Sequence, residues 1–371
     1  MTITIASVVG ARPQFVKLAP VVDAMAARSE FAPGGHYQHR VIHTGQHYDD
    51  RLSKQLFEDL SLPEADVNLE VGSGSHAFQT ARMLEGLEAA IETFDVQLVV
   101  CYGDTNSTLA AALVAAKLNL PCIHVEAGLR SGDRRMPEEV NRIVADHLCG
   151  LLLAPTQGAI MNLRRENLGS RSHFTGDVML DALERNIRLL DGRKEANAVA
   201  GSYVLATIHR ADNTVPDRLG GILNALESLV DELGAVVFPA HPRTMNVISA
   251  HHGDWLNRTR VKVLPPVGYL HMIELMKNAR LIVTDSGGVQ KEALFVGTPC
   301  VTVRDSTEWP ETIELGANRL VGNSTDGILS GCRTALTEPG DPVLWQRARE
   351  AFGGAQAANR VVDAVTALLE R

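Results

Sequence analysis

Short apolar runs alternate along this chain with longer segments whose apolar residues repeat at helical spacing. In the first half, the apolar runs predict strands at 3–9, 40–43, 97–102, 122–125 and 151–154. The segments between them predict helices at 13–28, 49–60, 78–94, 105–118 and 137–148. Strands that are apolar on both faces and alternate with helices indicate a parallel sheet covered on both sides.

A second series of the same kind follows a polar stretch at 191–202, which is typical of a linker. Its predicted strands are 203–207, 235–239, 261–264, 281–284 and 300–303. We therefore expect an α/β protein of two doubly wound domains, 1–190 and 191–354. The last segment, 355–371, carries an amphipathic helix that we expect to return to the first domain. Ligands of such sheets bind beyond the carboxyl ends of the strands, which predicts an active site in the cleft between the domains.

Composition narrows the functional classes. The 371 residues include 35 basic and 44 acidic side chains, and the net charge of −9 argues against nucleic-acid binding. No apolar run reaches the roughly 18 residues of a membrane-spanning helix, and the N-terminus lacks a basic signal region, so a cytoplasmic location is expected. The five cysteines show no C-x-x-C spacing, so neither a metal site nor a disulfide framework is expected.

Charged residues follow the predicted strands of the first half. Arg12 and Lys17 lie at the start of the first helix, where two cations suit a pyrophosphate. Asp104, Glu126 and Glu138 are carboxylates at or just beyond strand ends. Purely structural roles stay open for four of these residues. Arg12 and Lys17 could be solvated cations, Asp104 could cap a helix, and Glu138 could be an acidic residue of a first helical turn. An unpaired charge at the end of a buried strand is costly, which favours a functional role for Glu126.

The second half has histidine–arginine pairs after two strands, at His209-Arg210 and at His241-Pro242-Arg243. The turn Ser286-Gly287-Gly288 opens a helix and predicts an anion cradle, with Glu292 one turn later to accept ribose hydroxyls. The chain lacks G-x-G-x-x-G and G-x-x-x-x-G-K-[ST], so neither NAD nor a P-loop is expected. These residues indicate an enzyme acting on a nucleotide diphosphate compound, with the nucleotide on the second domain.

Sequence blocks in this order resemble one family, the non-hydrolysing UDP-N-acetylglucosamine 2-epimerases. They are GARPQFVKLAPV, TGQHYD, YGDTNSTLAA, HVEAGLRSGDRRMPEEVNRI, TGDVMLDAL, HRADNT, HPRT and LIVTDSGGVQKEALFVGTPCVTVRDSTEWPE. The resemblance implies a glycosyltransferase-B-like fold of two Rossmann-like domains, a homodimer, a UDP-sugar substrate, and no cofactor or metal. It also implies anti elimination of UDP to 2-acetamidoglucal, followed by re-addition of UDP with the C2 proton on the other face.

The same resemblance implies roles for individual residues. Arg12 and Lys17 would bind phosphate and intermediate, and the second domain would bind UDP. The implied catalytic residues are Asp104, Glu126, Glu138 and His209. The implied second-domain binding residues are Arg210, His241, Ser286, Gly287, Gly288 and Glu292. Which carboxylate removes the proton and which returns it stays open.

Several departures from the family pattern leave the sugar open. Many members have TERPE where this chain has Thr307-Glu308-Trp309-Pro310-Glu311, and GTRPEA where this chain has GARPQF. These features are similar to archaeal members and to UDP-2,3-diacetamido-2,3-dideoxyglucuronate 2-epimerases. Three further functions stay open: a UDP-sugar glycosyltransferase of the same fold, a hydrolysing 2-epimerase and a non-catalytic nucleotide-sugar binder.

Overall fold

The computed structural model describes residues 2–32, 34–46, 57, 60–191, 202–338 and 342–370. The chain divides into unit 1, Met1–Arg185 with Ala351–Arg371, and unit 2, Asn186–Glu350. The predicted helix 49–60 and the predicted linker 191–202 lie mostly outside the described residues. Within the described residues, no helix is long and apolar enough to cross a membrane.

Unit 1 is built on a parallel sheet in the order β3-β2-β1-β4-β5-β6-β7. Its strands are β1 Ile3–Val9, β2 Tyr37–His43, β3 Val67–Asn68, β4 Val96–Tyr102, β5 Cys122–Val125, β6 Leu151–Ala154 and β7 Ser172–Phe174. The strand order reverses between β1 and β4, and this switch point is where doubly wound sheets bind ligands. The short edge strands β3 and β7 escaped prediction because two or three residues carry no readable alternation.

The helices of unit 1 cover this sheet. They are α1 Arg12–Ala26, α2 His76–Thr93, α3 Asn106–Lys117, α4 Pro137–Leu148, α5 Gln157–Arg165 and α6 Val178–Asp191, the last of which continues into unit 2. Proline stands in the first turn of α1 and of α4, where its missing N–H costs no helical hydrogen bond.

Unit 2 repeats the architecture, with a parallel sheet in the order β10-β9-β8-β11-β12-β13. Its strands are β8 Tyr203–Thr207, β9 Val236–Pro239, β10 Lys262–Leu264, β11 Ala279–Thr284, β12 Cys300–Thr302 and β13 Asn318–Leu320. Its helices are α7 Pro216–Leu233, α8 Pro242–His251, α9 Gly253–Arg258, α10 Tyr269–Asn278, α11 Gly287–Val296, α12 Pro310–Glu314, α13 Thr325–Thr337 and α14 Pro342–Ala351, whose final residue is assigned to unit 1. Here the order reverses between β8 and β11.

The C-terminal helix, α15 Ala357–Leu369, packs against α1 and so belongs to unit 1. Its start is held by Asp181, whose carboxylate accepts hydrogen bonds from the N–H groups of Gln356 (2.7 Å) and Ala358 (2.5 Å). Near its end, Asp363 forms an ion pair of 2.5 Å with Arg28. The apolar face of α15 is buried through Val361, Val362 and Val365, which explains why this amphipathic helix needs no strand of its own.

Candidate active site

A buried ion pair lies beside the switch point of unit 1. Lys17 on α1 contacts Glu126, the residue directly after β5, and both side chains are less than a tenth exposed. Glu126 has φ of +72°, a conformation that costs a non-glycine residue about 1–3 kcal/mol and persists only where its surroundings enforce it. The N–H groups of Glu126 and Ala127 both donate to the Leu153 carbonyl, at 3.0 Å each. The backbone of β6 therefore aims the Glu126 carboxylate at Lys17.

Gly103 makes room for this pair. It follows β4 with φ of +66°, and a Cβ there would lie 2.9 Å from Lys17 Nζ and 3.3 Å from Glu126 Oε2. A larger residue would therefore push against both charged groups as well as strain the backbone. The close approach also brings the next residue, Asp104, to the same edge of the sheet as Glu126.

Helix α4 carries Glu138 and contacts Asp104 through Arg142. Arg142, which is 2% exposed, forms ion pairs with Asp104 and with Glu139, the latter at 3.0 Å. Glu139 also accepts the N–H groups of Ser131 and Gly132, so it organises the loop before the helix. Glu138 is half-buried, lies one turn before Arg142, and has no hydrogen-bond or ion-pair partner among the described residues.

A buried network supports these loops from below. His124, in β5, contacts Asp146 Oδ1 through Nδ1 (2.7 Å) and the Gly103 carbonyl through Nε2 (2.6 Å). Since both partners are acceptors, both ring nitrogens must carry protons, and His124 is an imidazolium. Burial alone would lower the pKa of His124, but the hydrogen bond and the charge of Asp146 raise it. Asp146 also accepts the Gly128 N–H and Arg130, and it thereby joins the two loops that carry Asp104 and Glu126.

Arg12 is the first residue of α1 and is exposed. The N–H groups of Gly10 and Ala11 just before it both donate to Gln14 Oε1, at 2.8 and 3.1 Å. Arg12 thus lies at the switch point, where Lys17 contacts Glu126 and the two amides before Arg12 donate to Gln14.

In unit 2, Asp285 organises the switch point. It follows β11, is fully buried, and accepts the N–H groups of His209 (3.1 Å) and Arg210 (2.9 Å) after β8. It also accepts the Asn213 amide at 3.1 Å. This one carboxylate holds the backbone of the His209-Arg210 turn in place.

Cationic side chains gather on that edge. The rings of His209 and His241 lie 5.7 Å apart between centroids, and Arg243 Nη1 reaches the His209 carbonyl at 3.5 Å. The pKa of His209 is lowered, chiefly by burial; Asp285 opposes this effect, while Arg210 and Arg243 add to it. His209 is therefore a neutral imidazole near neutral pH. Arg210 pairs with Glu308 at 3.1 Å, which keeps its guanidinium at the same edge.

The Ser286-Gly287-Gly288 turn opens α11 as predicted. Ser286 is the N-cap, and its Oγ accepts the Val289 N–H at 3.5 Å. A Cβ on Gly287 would lie 3.1 Å from Glu308 Oε1, whereas one on Gly288 would find no atom nearer than 3.9 Å. The first N–H groups of a helix have no acceptor within it, so the amides at this turn can bind an anion.

Glu292, predicted to bind ribose, is 4% exposed and accepts a hydrogen bond of 2.7 Å from the Tyr269 hydroxyl. Its neighbour Lys291 is 1% exposed, and its ammonium lies 3.8 Å from the ring centroid of Trp309. The tryptophan that replaces the arginine of many family members thus forms a buried cation–π pair with Lys291.

Comparison with known proteins decides the family. A family model described as UDP-N-acetylglucosamine 2-epimerase matches residues 30–366. The chain belongs to the UDP-N-acetylglucosamine 2-epimerase family. This membership confirms the resemblance found in the sequence, and the family is one of isomerases.

Two relatives and one solved structure show how far the similarity extends. The chain is 45% identical to a UDP-N-acetylglucosamine 2-epimerase homolog of Methanococcus maripaludis, over 88% of this chain and 90% of that protein. It is 41% identical to the UDP-2,3-diacetamido-2,3-dideoxy-D-glucuronate 2-epimerase of Pseudomonas aeruginosa, over 97% and 98%. The crystal structure of Methanocaldococcus jannaschii UDP-GlcNAc 2-epimerase in complex with UDP-GlcNAc and UDP matches with a TM-score of 0.86 and 37% identity, over 99% of each chain. The predicted two-domain Rossmann-like α/β fold is thereby confirmed.

The sequence analysis did not identify the residues that hold the loops of the predicted site in place. His124, Asp146, Arg142 and Asp285 were not singled out, although each binds a loop that carries a predicted site residue. A signal existed for two of them: Arg142 and Asp146 stand four residues apart on one face of α4, and such a charged pair at a largely buried helix face needs partners.

Proposed function

We propose that this chain is a UDP-N-acetylglucosamine 2-epimerase that interconverts UDP-N-acetylglucosamine and UDP-N-acetylmannosamine. The observation that carries the proposal is the Glu126 carboxylate, held in a strained backbone conformation against Lys17 at the switch point of unit 1. Such a fixed carboxylate suits proton transfer to or from carbon. The family membership and the relatives with this activity support the same reading.

The chemistry of the sugar explains why several carboxylates are needed. The C2 proton is not adjacent to a carbonyl, so its removal must accompany loss of UDP from C1. This elimination forms 2-acetamidoglucal, and re-addition of UDP with a proton delivered to the other face of C2 completes the inversion. Groups on both faces of C2 are therefore required. Asp104, Glu126 and Glu138 are our candidates; Asp104 forms an ion pair with Arg142, and Glu126 forms one with Lys17.

The departing UDP is a polyanion and needs cations and N–H donors. We propose that Ser286, Gly287 and Gly288 hold the diphosphate, with Arg210, His209 and His241 beside it and Glu292 toward the ribose. Arg12 of the first domain would bind phosphate. The histidine and arginine side chains at this edge of unit 2 support the assignment, since His209, Arg210, His241 and Arg243 all lie after β8 and β9.

A second candidate substrate is UDP-2,3-diacetamido-2,3-dideoxyglucuronate. The 41% identity to a relative of that activity over almost the whole chain favours it. The same elimination and re-addition at C2 would apply, because the reaction does not involve the substituents at C3 and C6.

Proton NMR of the enzyme with UDP-N-acetylglucosamine in D2O tests the proposal. We expect the C2 proton signal to exchange and signals of UDP-N-acetylmannosamine to grow. If neither happens, the same experiment with the diacetamido uronate decides between the two substrates, and inactivity with both contradicts the epimerase function. Release of free N-acetylmannosamine would instead identify a hydrolysing enzyme, and transfer of the sugar to an acceptor would identify a glycosyltransferase.

We further propose that the enzyme is a homodimer through an apolar groove of unit 1. The groove lies between α2, α3 and α4, has a volume of about 450 Å³, and is lined by Leu84, Leu109 and Val140, the last of which is 44% exposed. Light scattering should give twice the mass of the 371-residue chain, and Val140→Asp should reduce it to one chain. A cytoplasmic location stays a prediction of the sequence.

A further inference from the structure

Three cysteines that are far apart in the sequence meet inside unit 1. Cys149 Sγ lies 3.1 Å from Cys122 Sγ and 3.9 Å from Cys101 Sγ, and all three sulfur atoms lie within 4.8 Å of one another. Each residue is at most 3% exposed. No described cysteine forms a disulfide.

The sheet and α4 hold the three sulfurs in this position. Cys101 is in β4, Cys122 begins β5, and Cys149 is the residue after α4. The Cys149 N–H donates to the Ala145 carbonyl, and the Gly150 N–H donates to the Cys122 carbonyl, both at 2.9 Å. The cluster is thus fixed by backbone hydrogen bonds and does not depend on a mobile loop.

We propose that Cys101, Cys122 and Cys149 form a three-thiolate site for a cuprous ion. Three sulfurs at about 2.3 Å from a central ion are about 4 Å apart, close to the 3.9 Å between Cys101 and Cys149. The Cys122–Cys149 pair must open by somewhat less than 1 Å to match. A movement of this size is within reach of χ1 adjustments, since each sulfur is one bond from Cβ.

The donor set selects the ion. Thiolates favour soft ions such as Cu(I), Zn²⁺ and iron–sulfur clusters. Structural zinc takes four ligands, and among the described residues the group contains three cysteines and no fourth histidine, cysteine or carboxylate. Catalytic zinc keeps a water in an open position, which such deeply buried sulfurs do not offer. Copper(I) is stable with three sulfur ligands and needs no water.

Competition for copper tests this proposal. The fully reduced chain, without oxygen, is titrated with Cu(I) in the presence of a chromogenic Cu(I) chelator. We expect the wild-type protein to retain about one copper ion per chain in competition with the chelator. The variants Cys122→Ser and Cys149→Ser should retain at least roughly tenfold less copper at the same chelator concentration. Cys300→Ser and Cys332→Ser are matched controls, because these cysteines are equally buried but lie in unit 2, and both should behave like wild type.

X-ray absorption of the copper-loaded wild type provides a readout that needs no variant. Three sulfur neighbours support the site, whereas two sulfurs or nitrogen and oxygen neighbours overturn it. The proposal also fails if wild type withholds no more copper than Cys122→Ser. Circular dichroism checks that each variant is folded, and alanine replaces serine where a buried hydroxyl destabilises the chain.

Discussion

The two units share a strand order but treat charge in opposite ways at their switch points. In unit 1 the carboxylates Asp104, Glu126 and Glu139 are each held by a buried cation, Arg142 or Lys17. In unit 2 the buried carboxylate of Asp285 binds backbone N–H groups, Arg210 pairs with Glu308, and the side chains of His209 and Arg243 lie at the same edge. One fold thus gathers paired carboxylates in one copy and histidine and arginine side chains in the other.

This difference shows that the loops after the strands determine which chemical groups lie at the switch point, whereas the sheet determines only where these loops lie. In unit 1 the groups after β4 and β5 are carboxylates that form ion pairs with Arg142 and Lys17. In unit 2 the group after β11 is an N-cap serine followed by two glycines, which exposes N–H groups.

The largest effect should come from two neighbouring glutamates of unit 1. Glu138→Gln should lower turnover by about 10²–10⁴-fold with an unchanged melting temperature, because this side chain has no partner among the described residues. Glu139→Gln is the matched control: it weakens the contacts to Arg142, Ser131 and Gly132 and should mainly lower the melting temperature. Steady-state kinetics and calorimetry separate the two. A Glu138→Gln enzyme of normal turnover would remove this residue from the mechanism.

The Lys17–Glu126 pair should show strong coupling in stability. Lys17→Met or Glu126→Gln alone leaves one charged group buried without its partner, at a cost of about 3–5 kcal/mol. The double variant removes both charges and should recover much of that loss while staying inactive. Urea unfolding of the four proteins gives the coupling free energy. Strictly additive losses would mean that the two groups do not stabilise each other.

The glycines of unit 2 test the anion cradle. Gly288→Ala places a methyl group in open space and should leave stability unchanged, yet weaken UDP binding about tenfold if the diphosphate lies over this turn. Gly287→Ala places its methyl group against Glu308 and should also lower stability. Calorimetric titration with UDP measures both. Unchanged UDP affinity in Gly288→Ala would place the diphosphate elsewhere.

The smallest effect concerns the protonation of His209. Its pKa is lowered by burial and by nearby arginines, so Arg243→Gln should raise it. Because the folded-state pKa lies below the unfolded value, the unfolded chain binds a proton first, and His209 destabilises the fold as pH falls below about 6.5. Arg243→Gln should reduce this acid destabilisation. NMR titration of the His209 ring follows the change, and a downward shift would contradict the assigned cause.

Most of the fold could be predicted because apolar periodicity is a local property. The strands at 3–9, 122–125, 151–154 and 203–207 were predicted with the bounds that the structure has. The prediction was weaker at β2, which begins at the buried Tyr37 and not at residue 40, because Gln38 is exposed and His39 and Arg40 are polar and partly exposed. Helix α1 ends at Ala26, two residues before the predicted end.

For the candidate site, the sequence alone determined which residue types follow which strands, and its motifs identified the family. Only the tertiary structure decided what each of them touches. Lys17 was expected to bind phosphate, but it contacts Glu126, which is 109 residues away in the sequence. Cys101, Cys122 and Cys149 meet in the fold although their spacing in the sequence shows no motif. The physical reason is that strand pairing and helix packing set these contacts: β4 lies beside β5, and α4 packs against β5. Periodicity along one segment predicts that segment's shape, whereas contacts between segments depend on the register in which they pack.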